Sequence, residues 1–442
     1  MLRRQRGLRR ERGHLGARLW RRLGASALVA VVLGLGAVAL AAGPAGAHAT
    51  GSTAAAAPTA HAAFAQQCAD PYSAQRDPAN PLALATAPGS DPLTGAHFYV
   101  PGPAKGSAAG AIAQLVGLNP KTMPVSESWA QFASDLTHGS LAAKLAANKS
   151  LAHKVLELSK IASQPEAQRI SKYSEGGTPA GIFGQTQKIL CSNLTADPGS
   201  IPIFNTYFLH AQLGGCPTPA EVRAYTPTFD SQINAMADAV ANRPAVFLLE
   251  VDALGSSACI AKHGSLPAWE ADLRYEANTM GSLPHTVVYV EAGYSDSNSV
   301  AYTARALNAI GLSHIRGFFT NDTHLNWTIN EVKWATAIAK RTHGAHFIVN
   351  TADNGRGPLI EHNRVKNGNE DLCNPPGRGL GPEDTTDTGF PYADAFLWTS
   401  PPGNSSGCGG GPPGGVFWPA RAIALAQNAN ARLGPGYPSR PY

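Results

Sequence analysis

The sequence lacks three features that would point to common kinds of binding or catalysis. None of its six cysteines forms a Cys-x-x-Cys pair, which argues against a zinc site. No Gly-x-Ser-x-Gly nucleophile elbow directly follows a predicted strand, which argues against a Ser-His-acid hydrolase. Residues 48–442 contain no Lys/Arg cluster of the kind that binds phosphates. We therefore expect no metal, no cofactor and no nucleic acid partner.

The apparent basicity of the chain is confined to its start. Nine of the 35 basic residues and one of the 30 acids lie in residues 1–47, which leaves 26 basic against 29 acidic residues. An apolar run from Ala27 to Ala42 and Ala-x-Ala sites ending at Ala47 and Ala49 follow, as in a secretory signal peptide. A permanent membrane anchor is the alternative, but the run is short for a span. We expect a secreted protein with no stable membrane association after cleavage.

Beyond the predicted signal peptide, the chain divides into a lead-in and a folded domain. Residues 48–66 are low in complexity and predict a flexible segment. Residues 67–442 are long enough to bury a large core, and we expect them to form a monomeric domain. Six cysteines are an even number in an exported chain, which favours three disulfides. Spacing alone does not determine which cysteines pair, although disulfides that close the local loops Cys216 to Cys259 and Cys373 to Cys408 are reasonable.

Runs typical of strands alternate with runs typical of helices in the second half of the chain. This order favours a parallel sheet with helices outside it, either open or closed into a barrel. A helical pattern at Leu141–Ile161 comes first, and two later helices are expected to begin after Pro227 and Pro267. The predicted strands are 201–209, 245–251, 285–292, 314–320, 346–351 and 394–399, and the predicted helices are 228–241, 268–280, 299–310 and 329–342.

Polar residues follow four of these strands, at the edge where the loops of α/β folds build their sites. The stretch LLEVDAL places Glu250 and Asp252 after a buried apolar run, where burial makes a carboxyl expensive to ionise. We expect such residues to converge on one cleft, although acids and asparagines at strand ends also cap helices and turns. The others are Glu291, Tyr294, Asp296, Asn321, Asp322, His324, Asn326, Asn350, Asp353 and Asn354.

Several segments resemble, in the right order, family 6 of the glycoside hydrolases over most of residues 90–435. They are LLEVDAL, VVYVEAGYSD, IRGFFTNDTHLN, HFIVNTADNG, LCNPPGRGLG, DAFLWTSPPG and VFWPARAIALAQNA. LCNPPGRGLG is close to identical to the family signature, in which a tryptophan precedes the cysteine. The resemblance implies an α/β fold, a distorted, TIM-like parallel β/α barrel. It also implies a secreted glucanase that hydrolyses β-1,4-glucan with inversion.

The resemblance also implies roles for individual residues. Asp252 stands where the family carries its general acid, and Glu291, in place of an aspartate, is a second catalytic candidate. Two disulfides are implied, Cys216–Cys259 and Cys373–Cys408, which leaves Cys68 and Cys191 by elimination. The implied substrate-binding residues are Asn321, Asn326, Asn354, Asn374, Trp398, Ser400 and Asn404.

The final loop departs from the family pattern where a catalytic base is expected. The family reads Lys-Pro-Pro-Gly-Glu-x-Asp there, whereas Ser400–Ser406 reads SPPGNSS and carries no charge. An inverting glycosidase needs a proton donor and a second group that activates water. Either Glu291, Asp296 or Asp353 supplies that group through a relay, or the protein binds carbohydrate with weakened catalysis. A hydrolase of other chemistry on the same barrel is a third possibility.

Aromatic platforms for sugar are also fewer than the resemblance would imply. Ser297 and Leu372 stand where tryptophans are expected, and sugar faces pack on indole rings. Trp327 and Trp398 remain, and Trp398 has an alternative role as a core residue of its strand. Gly214 and Gly215 likewise replace an acid and an arginine of the family. A different or shorter polysaccharide is therefore consistent with the sequence.

Overall fold

Seven parallel strands lie side by side in chain order and form the sheet of the protein. The computed structural model describes residues 91–214, 216–359 and 372–429. All six predicted strands are confirmed, and a further strand, the first, was not predicted because its sequence QRIS is short and mostly polar. The strands are β1 (Gln168–Ser171), β2 (Ile203–Tyr207), β3 (Ala245–Leu249), β4 (Thr286–Glu291), β5 (Gly317–Thr320), β6 (His346–Asn350) and β7 (Ala393–Leu397).

The sheet curls, so that strands far apart in its order approach each other. Asn205 of β2 donates from Nδ2 to the carbonyl oxygen of Thr399, just beyond β7, at 2.9 Å. Tyr289 of β4 donates to Asp394 of β7 at 2.7 Å. In a flat sheet neighbouring strands are about 4.8 Å apart, and neither pair would touch. The predicted distorted, TIM-like β/α barrel is therefore confirmed, as a curled half-barrel of seven strands.

Alternate side chains of each strand enter two different apolar layers. In β3, Phe247 and Leu249 pack in the layer that contains helix residues, whereas Val246 and Leu248 lie with residues of the other strands inside the barrel. Because both faces of β3 are buried, its sequence is a continuous apolar run rather than an alternating one.

Helices surround the sheet and connect successive strands. The predicted helices 299–310 and 329–342 are confirmed within a few residues as the tenth and eleventh. The helices are α1 (Ser107–Leu115), α2 (Trp129–Thr137), α3 (Gly139–Ala147), α4 (Lys149–Ala162), α5 (Pro179–Ala196), α6 (Leu209–Leu213), α7 (Pro219–Val240), α8 (Ser257–Lys262), α9 (Leu266–Gly281), α10 (Val300–Ile310), α11 (Thr328–Ala339) and α12 (Pro419–Gln427).

Two predicted helix boundaries are wrong. α7 does not begin after Pro227, because Thr218 and Glu221 form a capping box that starts it eight residues earlier, at Pro219. The pattern at Leu141–Ile161 is two helices, since Asn148 leaves helical geometry and caps α4 with its side chain. α9 begins next to Pro267, as predicted.

Both disulfides implied by the resemblance are present. Cys216–Cys259 joins the loop after α6 to α8, and Cys373–Cys408 closes the final loop. Cys68 lies outside the described residues, as do the predicted signal peptide and the lead-in. In the described ranges, no helix is long and apolar enough to cross a membrane.

Candidate active site

A cleft of about 500 Å³ lies at the carboxyl ends of the strands. Its walls are loops that follow β3, β4, β5, β6 and β7, the edge at which parallel β/α barrels build their sites. Three predicted site residues line it: Asp252 after β3, and Ser400 and Asn404 after β7. Five further strand-end residues that we expected to converge also line it, namely Tyr294, Asp322, His324, Asn350 and Asp353. The predicted site residues Glu291, Asn321, Asn326, Asn354, Asn374 and Trp398 do not line it.

Asp252 is held at the end of β3 by its backbone and by two hydroxyl groups. Its φ of +64° lies in the left-handed region, which non-glycine residues seldom adopt and which is enriched at functional sites. Thr323 donates from Oγ1 to Oδ1 at 2.7 Å, and the hydroxyl of Tyr294 donates to the same oxygen. Among the described residues none donates to Oδ2, which leaves that oxygen available to a ligand.

Tyr294 stacks on His324 and links Asp252 to another carboxylate. The two ring centroids are 3.6 Å apart, and the planes differ by 11°. Nδ1 of His324 lies 3.1 Å from Oδ1 of Asp296. Burial alone would raise the pKa of Asp296, but the hydrogen bond and charge of His324 hold it below its usual value. Burial and the charge of Asp252 raise the pKa of Tyr294, which therefore keeps its proton and remains a donor.

Glu291, the second predicted catalytic residue, does not line the cleft. Its side chain is fully buried and accepts from the backbone N–H groups of Leu254 at 2.7 Å and Gly255 at 3.1 Å. Its other oxygen accepts from the backbone of Gly293. Burial, and then the charge of Asp252, raise the pKa of Glu291 well above its usual value. Glu291 therefore fixes the loop that carries Asp252 and lies within range of its charge.

Glu250 is also buried and organises backbone rather than substrate. Its carboxyl accepts from the N–H groups of Phe208 at 2.9 Å and Leu209 at 2.8 Å. Burial raises the pKa of Glu250 to about 7. Glu276 lies nearby, where burial and the charge of Glu250 raise its pKa well above the usual value. These acids lie behind the site, between β2, β3 and α9.

Three of the predicted substrate-binding asparagines are buried and tie the loops together. Asn321 accepts from the backbone of Asn326 at 3.0 Å and donates to the carbonyl oxygen of Asn350 at 3.0 Å. Asn354 donates to the carbonyl oxygen of Asn326 at 2.9 Å. Asn326 donates from Nδ2 to Asp296 Oδ1 at 2.7 Å and to Glu331 Oε1 at 2.9 Å. Because all three amides are engaged within the protein, their positions do not support direct contact with substrate.

Trp398 is a core residue rather than a sugar platform. It is 2% exposed, packs beside Leu380 and Ala422, and donates from its indole nitrogen to the carbonyl oxygen of Pro382 at 2.9 Å. The predicted substrate-binding role of Trp398 does not fit this burial. No tryptophan lines the cleft in the described part of the chain.

The final loop is ordered by amide contacts and a disulfide rather than by charge. Asn374, another predicted substrate-binding residue, donates to the carbonyl oxygen of Cys408 at 2.8 Å and accepts from the backbone of Ser406 at 2.8 Å. Asn374 therefore holds the loop in shape and does not line the cleft. The residues that this loop presents to the cleft include Ser400, Asn404, Ser405 and Ser406.

The run Gly403–Gly407 has the Gly-x-Ser-x-Gly spacing of a serine nucleophile elbow, but not its structure. It does not join a strand to a helix, since Asn404 forms an isolated antiparallel bridge with Phe417. The central hydroxyl, on Ser405, donates to the carbonyl oxygen of Pro412 at 2.6 Å. A nucleophilic serine donates to a base such as histidine or lysine, whereas this hydroxyl donates to a carbonyl oxygen, so the spacing does not provide serine-hydrolase chemistry.

Three carboxylates line the described part of the cleft: Asp252, Asp322 and Asp353. Asp353 forms an ion pair with Arg421, whose Nη2 lies 3.0 Å from Oδ2. Asp322 accepts from hydroxyl groups of the loop after β7, Thr399 and Ser400. The two acids therefore differ, because only Asp353 is directly neutralised by a cation.

The cleft residues that were not predicted as site residues include His210, Thr323 and Arg421. Thr323 stands in the polar stretch after β5, so its position at a strand end is a usable signal. Arg421 carries no local signal, because its contact with Asp353 depends on how α12 packs against a loop distant in sequence. His210 lies in α6, in a stretch that departs from the family pattern.

One trio among the described residues has the geometry to reach a metal ion: Cys216, Cys259 and His263. The two sulfurs are joined in a disulfide, whereas zinc binds thiolates. This trio therefore does not provide a metal centre.

The curled parallel sheet, with carboxylates lining a cleft at the strand ends, defines a β/α-barrel protein of the glycoside hydrolase type. Residues 147–429, more than half of the chain, match the protein family described as Glycosyl hydrolases family 6. The chain belongs to that family, as the sequence predicts.

Individual relatives agree with this assignment. The chain is 31% identical over 242 residues to Endoglucanase A of Thermobispora bispora, covering 53% of this chain and 50% of that protein. It is 30% identical over 275 residues to Endoglucanase 1 of Streptomyces sp. (strain KSM-9), covering 60% of this chain and 70% of that protein. It thus spans from half to about two thirds of the length of these relatives.

A solved structure shares the fold. The endoglucanase Cel6 from Mycobacterium tuberculosis, in complex with methyl-cellobiosyl-4-deoxy-4-thio-β-D-cellobioside, is similar with a TM-score of 0.59 and 26% identity. The match covers 77% of this chain and 99% of that chain. The fold similarity therefore extends over nearly the whole of that catalytic structure.

Proposed function

We propose that this protein hydrolyses β-1,4-glucan with inversion, with Asp252 as the general acid. The observation that carries the proposal is the position of Asp252 in the cleft, with Oδ1 held by Tyr294 and Thr323 and with Oδ2 open to a ligand. A glycosidase acid must present one carboxyl oxygen to the glycosidic oxygen that leaves. The relatives named as endoglucanases, and the cellobioside bound to one of them, support glucan as the substrate.

The contacts of Asp252 fit a proton donor. Protonated at Oδ2, it gives that proton to the leaving oxygen as the glycosidic C–O bond breaks. The hydroxyl groups of Tyr294 and Thr323 then stabilise the carboxylate that remains, through Oδ1. Burial and the charge of Asp252 raise the pKa of Glu291, so Glu291 tends to stay neutral and adds no second negative charge beside Asp252.

The group that activates water must lie outside the final loop. Ser400, Asn404 and Ser406 offer hydrogen bonds there, but none of them takes up a proton at neutral pH. The three acids considered from the sequence are each engaged elsewhere. Glu291 bonds to backbone, Asp296 pairs with His324, and Asp353 pairs with Arg421. Hydrolysis that depended on a relay through these acids would be slow.

The uncharged final loop favours a second candidate function, carbohydrate binding with little catalysis. A cleft of about 500 Å³ lined by hydroxyl and amide groups suits a short oligosaccharide whether or not a base is present. The two functions differ in turnover and not in binding, so a single set of measurements separates them.

We also propose that the protein acts outside the cell as a monomer. The support for export is the basic head, the apolar run and the Ala-x-Ala sites at the start of the chain. Amino-terminal sequencing of protein exported by a host is expected to begin after Ala47 or Ala49. Gel filtration of the same material is expected to give a single-chain mass.

Reducing-sugar release from a panel of β-glucans tests the proposed activity. Asp252→Asn keeps the shape of the side chain but removes its proton, so we expect a loss of about 10²–10⁴ in rate. Asp135→Asn, on the exposed surface of α2, is the matched control and should match wild type. A loss below about tenfold for Asp252→Asn would exclude it as the acid. Wild-type binding of cello-oligosaccharide without release would favour the second function.

A further inference from the structure

We propose that Asp322 is the general base of this cleft, in place of the carboxylate that the final loop lacks. This inference rests on the proposed glucan hydrolysis and names the group that takes the proton of the attacking water. Of the three carboxylates that line the described part of the cleft, Asp252 is assigned as the donor and Asp353 is paired with Arg421. Asp322 is the remaining one.

Asp322 lies between the loop that carries the proton donor and the final loop. Its chain neighbour Thr323 donates to Oδ1 of Asp252 at 2.7 Å. Asp322 itself accepts from the hydroxyl of Thr399, and Oγ of Ser400 lies 3.4 Å from its Oδ1. Consecutive Cα atoms are only about 3.8 Å apart, so two adjacent residues reach both walls of the site. The carboxylate is thus near the region in which related enzymes carry their base.

The two oxygens of Asp322 have unequal surroundings. Oδ1 accepts from the Thr399 hydroxyl and lies 3.4 Å from Nδ2 of Asn205. Oδ2 has one donor near it among the described residues, Oγ of Ser400 at 3.5 Å. Oδ1 therefore fixes the carboxylate, while Oδ2 can accept a hydrogen bond from a water molecule in the cleft.

Burial leaves the pKa of Asp322 above its usual value, although a nearby cation and a hydroxyl donor oppose it. Burial raises the pKa of Asp322, the charge of Arg169 lowers it, and the charge of Asp252 raises it again. Arg169 reaches the same place through Ser400, since its Nη2 donates to Oγ of Ser400 at 3.2 Å. A carboxylate with a raised pKa is a stronger base than an exposed one, provided that it stays ionised at working pH.

Asp353 is the natural comparison, because it also lines the cleft. Its Oδ2 lies 3.0 Å from Nη2 of Arg421, so protonating it would weaken a close ion pair. Asp322 has no such direct cation among the described residues, since Arg169 contacts Ser400 instead. Proton uptake is therefore less costly at Asp322.

The proposed step balances with water alone. The water oxygen bonds to the anomeric carbon on the face opposite the leaving sugar, and one water proton passes to Oδ2 of Asp322. The glycosidic C–O bond breaks, and its oxygen takes the proton of Asp252. The products are a sugar of inverted configuration and a free sugar hydroxyl. Asp322 then releases its proton to solvent, and Asp252 regains one.

Dependence on the leaving group separates a base from an acid. Cellotetraose needs protonation of its leaving oxygen, whereas the dinitrophenolate of 2,4-dinitrophenyl β-cellobioside leaves without it. We expect Asp322→Asn to lose about 10²–10⁴ in kcat on both substrates. Asp252→Asn should lose that much on cellotetraose and far less on the aryl glycoside. Asp135→Asn, exposed on α2 and absent from the cleft wall, is the matched control and should stay within about threefold of wild type on both.

Azide gives a second readout that a structural role would not produce. Azide is a nucleophile that needs no base, so it should restore part of the aryl-glycoside turnover of Asp322→Ala. The product should be the α-configured cellobiosyl azide, identified by NMR. Asp353→Ala should form none. This product counts productive turnovers, so it reports on the site even if part of the sample is misfolded.

The outcomes separate this proposal from the one on which it rests. Near wild-type rates for Asp322→Asn on both substrates, or no glycosyl azide from Asp322→Ala, would overturn the role of Asp322. Glucan hydrolysis that depends on Asp252 would then still stand. If wild type cleaves neither substrate, the proposed hydrolysis fails, and the role of Asp322 fails with it. Thermal unfolding and cellotetraose binding of each variant show whether a rate change comes from lost structure.

Discussion

Tyr294 determines how Asp252 can work, although it belongs to another loop. Its hydroxyl and that of Thr323 both bond to Oδ1, and no group in the described part of the chain donates to Oδ2. Its ring lies flat on His324, so the hydroxyl is held by the stack as well as by Asp252. A hydrogen bond to a charged group is worth roughly 1.5–3 kcal/mol, enough to matter for the charge that develops on Asp252.

Replacing this tyrosine tests the contact directly. Tyr294→Phe keeps the ring and removes the hydroxyl, so the Asp252 carboxylate loses one donor when it gives up its proton. We expect kcat on cellotetraose to fall roughly tenfold or more with little change in KM, since about 1.4 kcal/mol is a factor of ten.

Tyr302→Phe is the matched control for this measurement. The hydroxyl of Tyr302, on α10, has no hydrogen-bond partner among the described residues. Its removal should leave kcat unchanged. If Tyr294→Phe is as active as its control, Tyr294 does not assist Asp252.

A site residue could be predicted from the sequence where it both follows a strand and matches a specific motif, and not elsewhere. Asp252 was found because it follows a buried strand and matches a specific motif. Asn321 and Asn354 also follow strands, but their amides turn into the neighbouring loops. A sequence shows that a polar residue stands at a strand end, and the packing of loops decides which way it points. Asp322 was noted in this way, yet its role depends on contacts from β7.

Among the elements, the final loop lacks the charges of the family pattern and is nevertheless firmly anchored. Asn374 and the Cys373–Cys408 disulfide hold it, and the backbone of Ser406 bonds to Asn374 at 2.8 Å. The loop has therefore lost charge without losing its anchors. A carboxylate returned to it should occupy a defined position.

Ser406→Asp places a carboxylate where the family carries its base. If Asp322 already serves as base, this change should add less than about threefold to the wild-type rate. In an Asp322→Asn background it should recover part of the 10²–10⁴ lost, because a general base returns to the cleft at roughly the right place. Adding Ser400→Lys and Asn404→Glu supplies the two other charges of the family pattern around this new carboxylate.

Ser406→Asn is the control, since it has the size of aspartate without the charge. Rates on cellotetraose are compared in both backgrounds. A large gain in wild type, with no recovery in Asp322→Asn, would show that the base position is empty in the native protein.

Strands and helices could be predicted where a single sequence signal, such as an apolar run, dominated. β3 to β7 are mostly apolar and are buried on both faces, which makes them easy to find. β1 has one buried apolar residue, Ile170, and its pairing with β2 rather than its own sequence defines it. The start of α7 was misplaced because Pro227 looks like a helix start, whereas the Thr218–Glu221 capping box sets it.

At the scale of the whole molecule, buried acids support the barrel from behind the cleft. Burial raises the pKa of Glu250 to about 7 and of Asp272 to about 6, and it raises that of Glu276 well above its usual value. Alternation of strands and helices predicted a parallel sheet, and the resemblance to the family implied the barrel, but neither predicted this cluster. The cluster forms where α9 packs against the neighbouring strands β2 and β3.

The cluster predicts that stability falls as pH rises from about 4.5 to 7. An acid whose folded pKa is raised binds its proton more tightly in the folded state, so unfolding releases protons. The stabilisation is fully present below the unfolded pKa and is lost as pH rises through the folded pKa. Each unit of pKa difference is worth about 1.4 kcal/mol, so Glu250 alone accounts for a change on the order of 3 kcal/mol.

Calorimetric Tm values between pH 5 and 8 measure this dependence, and Glu276→Gln tests its source. Glutamine keeps an acceptor for the Thr206 hydroxyl, which lies 2.9 Å from Glu276 Oε1, and cannot ionise. The Tm of the variant should fall less than that of wild type between pH 5 and 8, because one buried charge no longer forms. Glu221→Gln, at the exposed start of α7, should not flatten the curve in this way, because its pKa is lowered by the Thr218 backbone and hydroxyl rather than raised. Identical slopes in wild type and Glu276→Gln would mean that the proton release comes from acids outside this cluster.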